Sequence, residues 1–226
     1  MTARVHSFTI DGFRIQASDS PESIAAEIIA QELQSDCYGL SRIDFKDGDV
    51  VIDIGAHIGL FAIYAALRFP QVLIHAVEPF PDNYQLLLQN LDRNGIENVQ
   101  AHHQAVSGDG RFLEMVTNQQ NSGGSTCHSR TLSYRRQTGI PSTTLDRMFD
   151  SLGIDNCKLL KIDCEGSEYE ILFSAGTLSR VEYLSGEFHQ NEMLLSQGYT
   201  AKRLVDHCEK YIARNKLMVK TCNMSE

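Results

Sequence analysis

Between Val50 and Ala66 the chain reads VVIDIGAHIGLFAIYAA. β-Branched residues run into an acid and a glycine, a second glycine follows four positions later, and apolar residues then recur at helical spacing. A nearly continuous apolar strand is buried on both faces, and such strands belong to parallel sheets covered by helices. A half-exposed antiparallel sheet would alternate apolar and polar residues instead. This stretch alone points to an α/β fold.

The same pattern recurs along the chain. VLIHAVEP (Val72 to Pro79) reads as a second strand, and DNYQLLLQNLDRNG as a helix that stops at Gly95. VQAHHQAVS (Val99 to Ser107) gives a third strand and RFLEMV a short fourth. KLLKIDCEG, VEYLSGEF and KLMVKTC are further strands, with SEYEILFSAG and LVDHCEKYIAR as helices between them. Ahead of all these, HSFTIDGFRIQA alternates around Asp11-Gly12 as a hairpin. SPESIAAEIIAQEL then starts a helix with Ser20 as its cap and Pro21 in its first turn. The expected architecture is a three-layer, Rossmann-like α/β fold: a mostly parallel seven-stranded sheet with helices on both faces.

The 226 residues are expected to form a single domain. Residues 1–48 would be a hairpin-and-helix extension and 49–226 the core. Within the core, 117–143 is polar and long for a loop, a lid-like insertion. Asn121 to Arg136 in particular is expected to order when a ligand binds. A formal charge of −9 argues against non-specific nucleic-acid binding. With no signal peptide and no apolar run of about 18 residues, the reading is cytoplasmic with no membrane partner. Six cysteines without a C-x-x-C pair argue against a cysteine-based zinc site. The sequence is compatible with a homodimer.

In open parallel sheets, ligands bind beyond the carboxyl ends of the strands. A dinucleotide fingerprint needs G-x-G-x-x-G, but Gly55 is followed by Ala56 and then His57, where the middle glycine belongs. The pattern is D-x-G-x-x-x-G, framed by Gly55 and Gly59. It suits a ligand without phosphates that carries an ammonium and a carboxylate. Asp53 can accept from the ammonium, and backbone N–H groups at the helix start can take the carboxylate. S-adenosylmethionine is such a ligand. Glu78, followed by Pro79, can take both ribose hydroxyls, one on each carboxylate oxygen. Gln104, Ala105 and Val106, with Ser107, would flank an adenine. The bland alternatives are a turn that merely needs glycine, a solvated strand end and ordinary strand-end packing.

Taken in order, VVIDIGAHIGLF, AVEPFPDNYQLLLQNL, QAVSG, STTLD and LLKIDCEGSEYEIL resemble the FkbM family of class I S-adenosylmethionine-dependent methyltransferases. The resemblance covers roughly Asp49 to Gly176 and implies methylation of a hydroxyl on a small molecule, such as a natural product or sugar. His57 departs from it, standing where an asparagine is usual. Asp163 and Glu165 end a central strand and are candidate catalytic residues, Asp163 also approaching the cofactor's methionyl part. Ser167-x-x-Glu170 reads as a capping box. His189, in GEFHQN, can take a proton near neutral pH and is the third catalytic candidate. Asp163, Glu187 and His189 could also hold a divalent ion, but the spacing does not show one and none is expected. His102 and His103 alternate on a strand and are expected to pack or be solvated. Two rivals stand beside methyl transfer. A nicotinamide oxidoreductase is opposed by the missing middle glycine. A non-catalytic binding protein is opposed by the intact Asp163-to-Glu168 motif.

Overall fold

The structure, a computed structural model, describes residues 3–117 and 135–223. β1 (Arg4–Ile10) and β2 (Phe13–Asp19) form an antiparallel hairpin that turns at Asp11-Gly12, both at positive φ. α1 (Ala25–Gln34) follows. The first half of the core is β3 (Val50–Ile54), α2 (Leu60–Arg68), β4 (Leu73–Val77), α3 (Pro81–Arg93) and β5 (Val99–His102). Short strands come next: β6 (Ala105–Val106), β7 (Leu113–Thr117), β8 (Arg135–Ile140) and β9 (Ser142–Thr143). The second half is α4 (Leu145–Leu152), β10 (Cys157–Ile162), α5 (Glu168–Ser174), β11 (Val181–Gln190), α6 (Glu192–Ser196), α7 (Ala201–Cys208) and β12 (Leu217–Asn223).

The central sheet runs β12-β11-β10-β3-β4-β5, and every neighbouring pair is parallel. The chain winds outward from β3 in one direction and from β10 in the other. The carboxyl ends of these two strands are therefore the switch point where a parallel sheet opens a crevice. Among the described residues the sheet has six strands where seven were expected. RFLEMV does form a strand, but β7 pairs antiparallel with β8 outside the sheet. The predicted third strand also breaks: the Gln104 amide turns back onto the His102 carbonyl, and Ala105–Val106 leaves to pair with β9. The lid expected over 121–136 lies largely outside the described residues.

Two helix starts differ from expectation. The first amides of α1 are taken by Ser23 Oγ (from Ala25, 3.1 Å) and by Asp19, not by Ser20. Asp19 is fully buried and accepts from the backbone N–H groups of Ser20 (2.6 Å) and Ala26 (3.3 Å), while Pro21-Glu22 forms a turn ahead of the helix. A buried carboxylate at a helix start needs such donors, and those amides need an acceptor. At α5, Ser167 makes no side-chain cap, so the capping box does not form. Glu170 instead meets Arg111 in a bidentate ion pair (2.8 and 3.2 Å).

The N-terminal hairpin is fastened to the core. Fully buried Asn90 of α3 accepts from the Ser18 amide (2.7 Å) and donates to the carbonyls of Ser18 (3.0 Å) and Ile58 (2.9 Å). Ile10, Ile15 and Ala26 share one apolar cluster with Phe61, Ile63 and Tyr64 of α2 on one face of the sheet. Phe149, Tyr169, Leu172 and Leu204 fill the other face. Each large apolar side chain buried this way contributes roughly 1.5–3 kcal/mol.

Candidate active site

Asp53 of β3 and Lys161 of β10 are direct partners in the strand register, both buried, with Lys161 Nζ 3.0 Å from Asp53 Oδ1. Lys161 also donates to the Gly55 carbonyl (3.1 Å) and lies 3.8 Å from Asp163 Oδ2. The rings of Tyr38 and Phe61 stand 5.8 and 5.7 Å from its ammonium. Burial drives the Lys161 pKa down, but Asp53 and Asp163 reverse this and leave it above the ordinary lysine range. Burial raises the Asp53 pKa, and Lys161 opposes the rise. The two form an internal ion pair beneath the glycine turn.

The turn itself is shaped by backbone proximity. Gly55 has φ +79, and a Cβ there would sit 1.9 Å from the Asp163 carbonyl oxygen, so the ends of β3 and β10 can meet only through glycine. At Gly59 (φ +89) a Cβ would lie 2.4 Å from Leu87 Cδ1, so this glycine lets α3 pack on α2. His57 takes φ +53, a conformation asparagine and histidine tolerate better than most residues. Its amide donates to Glu78 Oε2 at 2.8 Å. Glu78 Oε1 accepts from the Phe80 amide (3.0 Å) and Asn83 Nδ2 (3.4 Å). These donors hold Glu78 at the end of β4, yet burial still pushes its pKa up to about 7. Burial takes His57 the other way, down to about 4, so its ring is neutral at physiological pH.

Across the crevice, the loop after β10 carries Asp163 and Glu165. Glu165 sits at φ +53, and burial raises its carboxyl to about 7. Glu168 is buried and gathers three donors: the amides of Cys164 and Gly166 (both 2.9 Å) and His189 Nδ1 (3.0 Å). The other ring nitrogen of His189 faces Glu187 (3.6 Å), Glu165 (3.7 Å) and Asp163 (3.9 Å). Burial alone would lower the His189 pKa, but Glu168 foremost, then Glu165 and Asp163, raise it to about 10. These carboxylates favour the protonated imidazole.

Two cavities meet here. The first is lined by Gly55, Glu78, Pro79, Gln104, Ala105 and Val106, and by the apolar side chains of Phe80, Leu113 and Met115. The second lies between the strand ends and α1; Ile28, Ile29 and Glu32 form one wall, with Tyr38, Lys161, Glu187 and His189 opposite. Gly55, His57, Asp163 and Glu165 line both. Asp53, Gly59 and Ser107 line neither. Asp53 faces Lys161, Gly59 receives Leu87, and the Ser107 hydroxyl binds that of Ser142 (2.7 Å) and accepts from the Gly110 amide (3.0 Å). His102 pairs with His75 (3.0 Å) and His103 stacks on Tyr84, both outside the two cavities.

Residues 53–209 match the methyltransferase FkbM domain. The chain belongs to the FkbM methyltransferase family. Methyl transfer is accordingly its chemistry. Among curated relatives of this FkbM domain, Methyltransferase 1 of Beauveria bassiana is 27% identical over 72% of this chain and 72% of its own length. The 31-O-demethyl-FK506 methyltransferase FkbM of Streptomyces tacrolimicus is 38% identical over 31% of this chain and 28% of its own length. A solved precorrin-6y C5,15-methyltransferase from Geobacter metallireducens GS-15 aligns with a TM-score of 0.46 at 18% identity, covering 78% of this chain and 71% of that one.

Sequence reasoning passed over Lys161, Leu113, Met115 and the α1 wall of the FkbM site. Lys161 had a signal: a lysine inside an apolar strand needs a buried counter-charge, and Asp53 was the acid in the matching strand. The α1 wall had none, because nothing local says which surface a helix will cover.

Proposed function

We propose that this FkbM domain methylates a hydroxyl oxygen of a small molecule, with S-adenosylmethionine as donor. The observation that carries the reading is the junction of two cavities at Gly55, His57, Asp163 and Glu165. One cavity has apolar walls and a carboxylate at the end of β4, which suit a cofactor. Glu78 has lone pairs beyond those its amide donors use, and these suit ribose hydroxyls. Phe80, Leu113 and Met115 suit a flat base. When bound, S-adenosylmethionine supplies a methyl group already activated on a sulfonium. What remains for the protein is to align an acceptor oxygen with that methyl and to receive its proton. Asp163 and Glu165, reaching both cavities, are the carboxylates placed to do both. The second cavity gives the acceptor a place on the far side, with aliphatic α1 residues to exclude water. The Streptomyces tacrolimicus relative, whose name specifies 31-O-demethyl-FK506, supports an oxygen acceptor on a small molecule.

The test is transfer of label from methyl-labelled S-adenosylmethionine to a panel of hydroxylated small molecules, with binding measured first. Calorimetry should give micromolar affinity, about −8 kcal/mol. No binding by the unmodified protein would remove the cofactor assignment.

Glu78 makes the binding pH-dependent. An ionised carboxylate is the stronger acceptor for ribose hydroxyls. With a pKa of about 7 in the free protein, affinity should weaken as pH falls below 7, approaching tenfold per pH unit. The unliganded fold should respond oppositely. Its raised carboxyl favours the folded state below the unfolded pKa, and that contribution is lost as pH rises through about 7. Glu78→Gln should flatten both trends, and Glu78→Ala should weaken binding by about 2 kcal/mol. Affinity independent of pH between 5.5 and 8 would contradict the assignment of Glu78 to the cofactor.

A further inference from the structure

Glu187 and His189 are alternate residues of β11, so both side chains leave the same face of the sheet. β12 runs parallel with Cys222 opposite His189, which sets a thiol beside them. The carboxylate, the ring nitrogen and the sulfur all lie within 4.8 Å of one another. Each of the first two is held from behind. His189 Nδ1 is fixed by Glu168 at 3.0 Å, which turns Nε2 forward. Glu187 Oε1 is held by Lys220, itself anchored on Glu32 at 2.8 Å. Glu187 Oε2 points forward, 3.6 Å from His189 Nε2, and accepts from the Cys222 thiol at 2.6 Å.

An imidazole with a carboxylate on its rear nitrogen, beside a carboxylate tethered through its rear oxygen, is how outer-shell partners orient metal ligands. We propose that Glu187, His189 and Cys222 bind one divalent ion of the zinc class. Imidazole and thiol in the set disfavour magnesium and calcium, which take oxygen ligands. Tetrahedral zinc holds its ligands roughly 3.5 Å apart, given bonds of about 2.0–2.3 Å, a separation side-chain rotation can reach here. Binding exchanges the Cys222 S–H bond and the His189 Nε2–H bond for bonds to the metal, and both protons leave to solvent. Three protein ligands leave a fourth position open. Glu187 and His189 line the second cavity, so that position opens where an acceptor hydroxyl would sit and be polarised.

The full chain, stripped with chelator, is titrated with Zn²⁺ alone by calorimetry and with Co²⁺ alone by absorption. Neither cofactor nor acceptor is present, so the outcome does not depend on the methyl-transfer reading. One ion per chain should bind at micromolar concentration or tighter, with a thiolate-to-cobalt charge-transfer band. Cys222→Ser should abolish the band and weaken Zn²⁺ at least tenfold, as should His189→Gln for affinity. His103→Gln, a histidine away from the cluster, should change neither. Circular dichroism checks that each variant folds, and the unmodified chain decides the matter if one does not. Absence of saturable binding or of the band in the unmodified chain overturns the site. So does undiminished affinity in folded Cys222→Ser and His189→Gln.

Discussion

Replacing Lys161 by Met should lower stability by about 3–5 kcal/mol, the range seen when one partner of a buried ion pair is removed. Methionine keeps much of the length and volume of the side chain, so the loss reports charge rather than a cavity. Asp53 would be left fully buried without its cation, and the Gly55 carbonyl would lose its 3.1 Å donor. Urea denaturation at pH 7 measures the effect. The loss should shrink at lower pH, because a buried carboxyl already pushed upward in pKa takes a proton readily once Lys161 is gone. Lys161→Met combined with Asp53→Asn should recover much of the deficit, since the pair is then replaced by neutral groups. A stability change under 1 kcal/mol in Lys161→Met would show that the pair does not act as the geometry indicates. Asp53→Asn alone extends the test to the site. If Asp53 serves Lys161 and not a ligand ammonium, that variant should lose stability while the folded fraction binds S-adenosylmethionine nearly as well as before.

Asp163→Asn should lower turnover by about 10²-fold or more, the scale of a lost general base. The substitution keeps shape and removes charge. Asp163 stands at the junction of both cavities and 3.8 Å from Lys161, so it can take a proton from an acceptor without leaving its place. Rates of label transfer, compared with Glu165→Gln under the same conditions, identify which carboxylate receives the proton: the larger drop marks it. His189 is the third candidate: ringed by Glu168, Glu165, Asp163 and Glu187, it is tested by His189→Ala in the same assay, and a drop smaller than that of Asp163→Asn is expected. Normal turnover in all three variants would leave alignment of oxygen, methyl and sulfur as the whole mechanism.

Much of this was legible in the residues because parallel-sheet grammar is local. A buried strand, a glycine turn and an amphipathic helix announce themselves within about twenty residues, and their alternation fixes the sheet type. That placed Gly55, Glu78 and Asp163 at the carboxyl ends of strands, and Glu78, Pro79, Gln104 and Ala105 do border a cavity there. The strand count erred where local pattern was followed too literally. RFLEMV has strand chemistry, but pairing is decided by whichever edge lies nearest, and β8 offers it one away from the sheet.

Contacts between distant segments belonged to the tertiary structure alone. Asp53 has a plausible ligand role when its strand is read by itself. Only the order of strands, with β3 beside β10, shows that the opposing residue is Lys161, 3.0 Å from Asp53 Oδ1. Gly55 borders both cavities, and only the tertiary structure shows that its missing Cβ also makes room for the carbonyl of Asp163. The convergence of Glu187 and His189 with Cys222 depends on the register of two parallel strands, which no spacing within either strand encodes. Periodicity along a chain reports which faces are buried. Which partner each face meets is set by long-range packing, where the free energy of pairing a buried charge or filling a close backbone contact is decided only once both segments are in place.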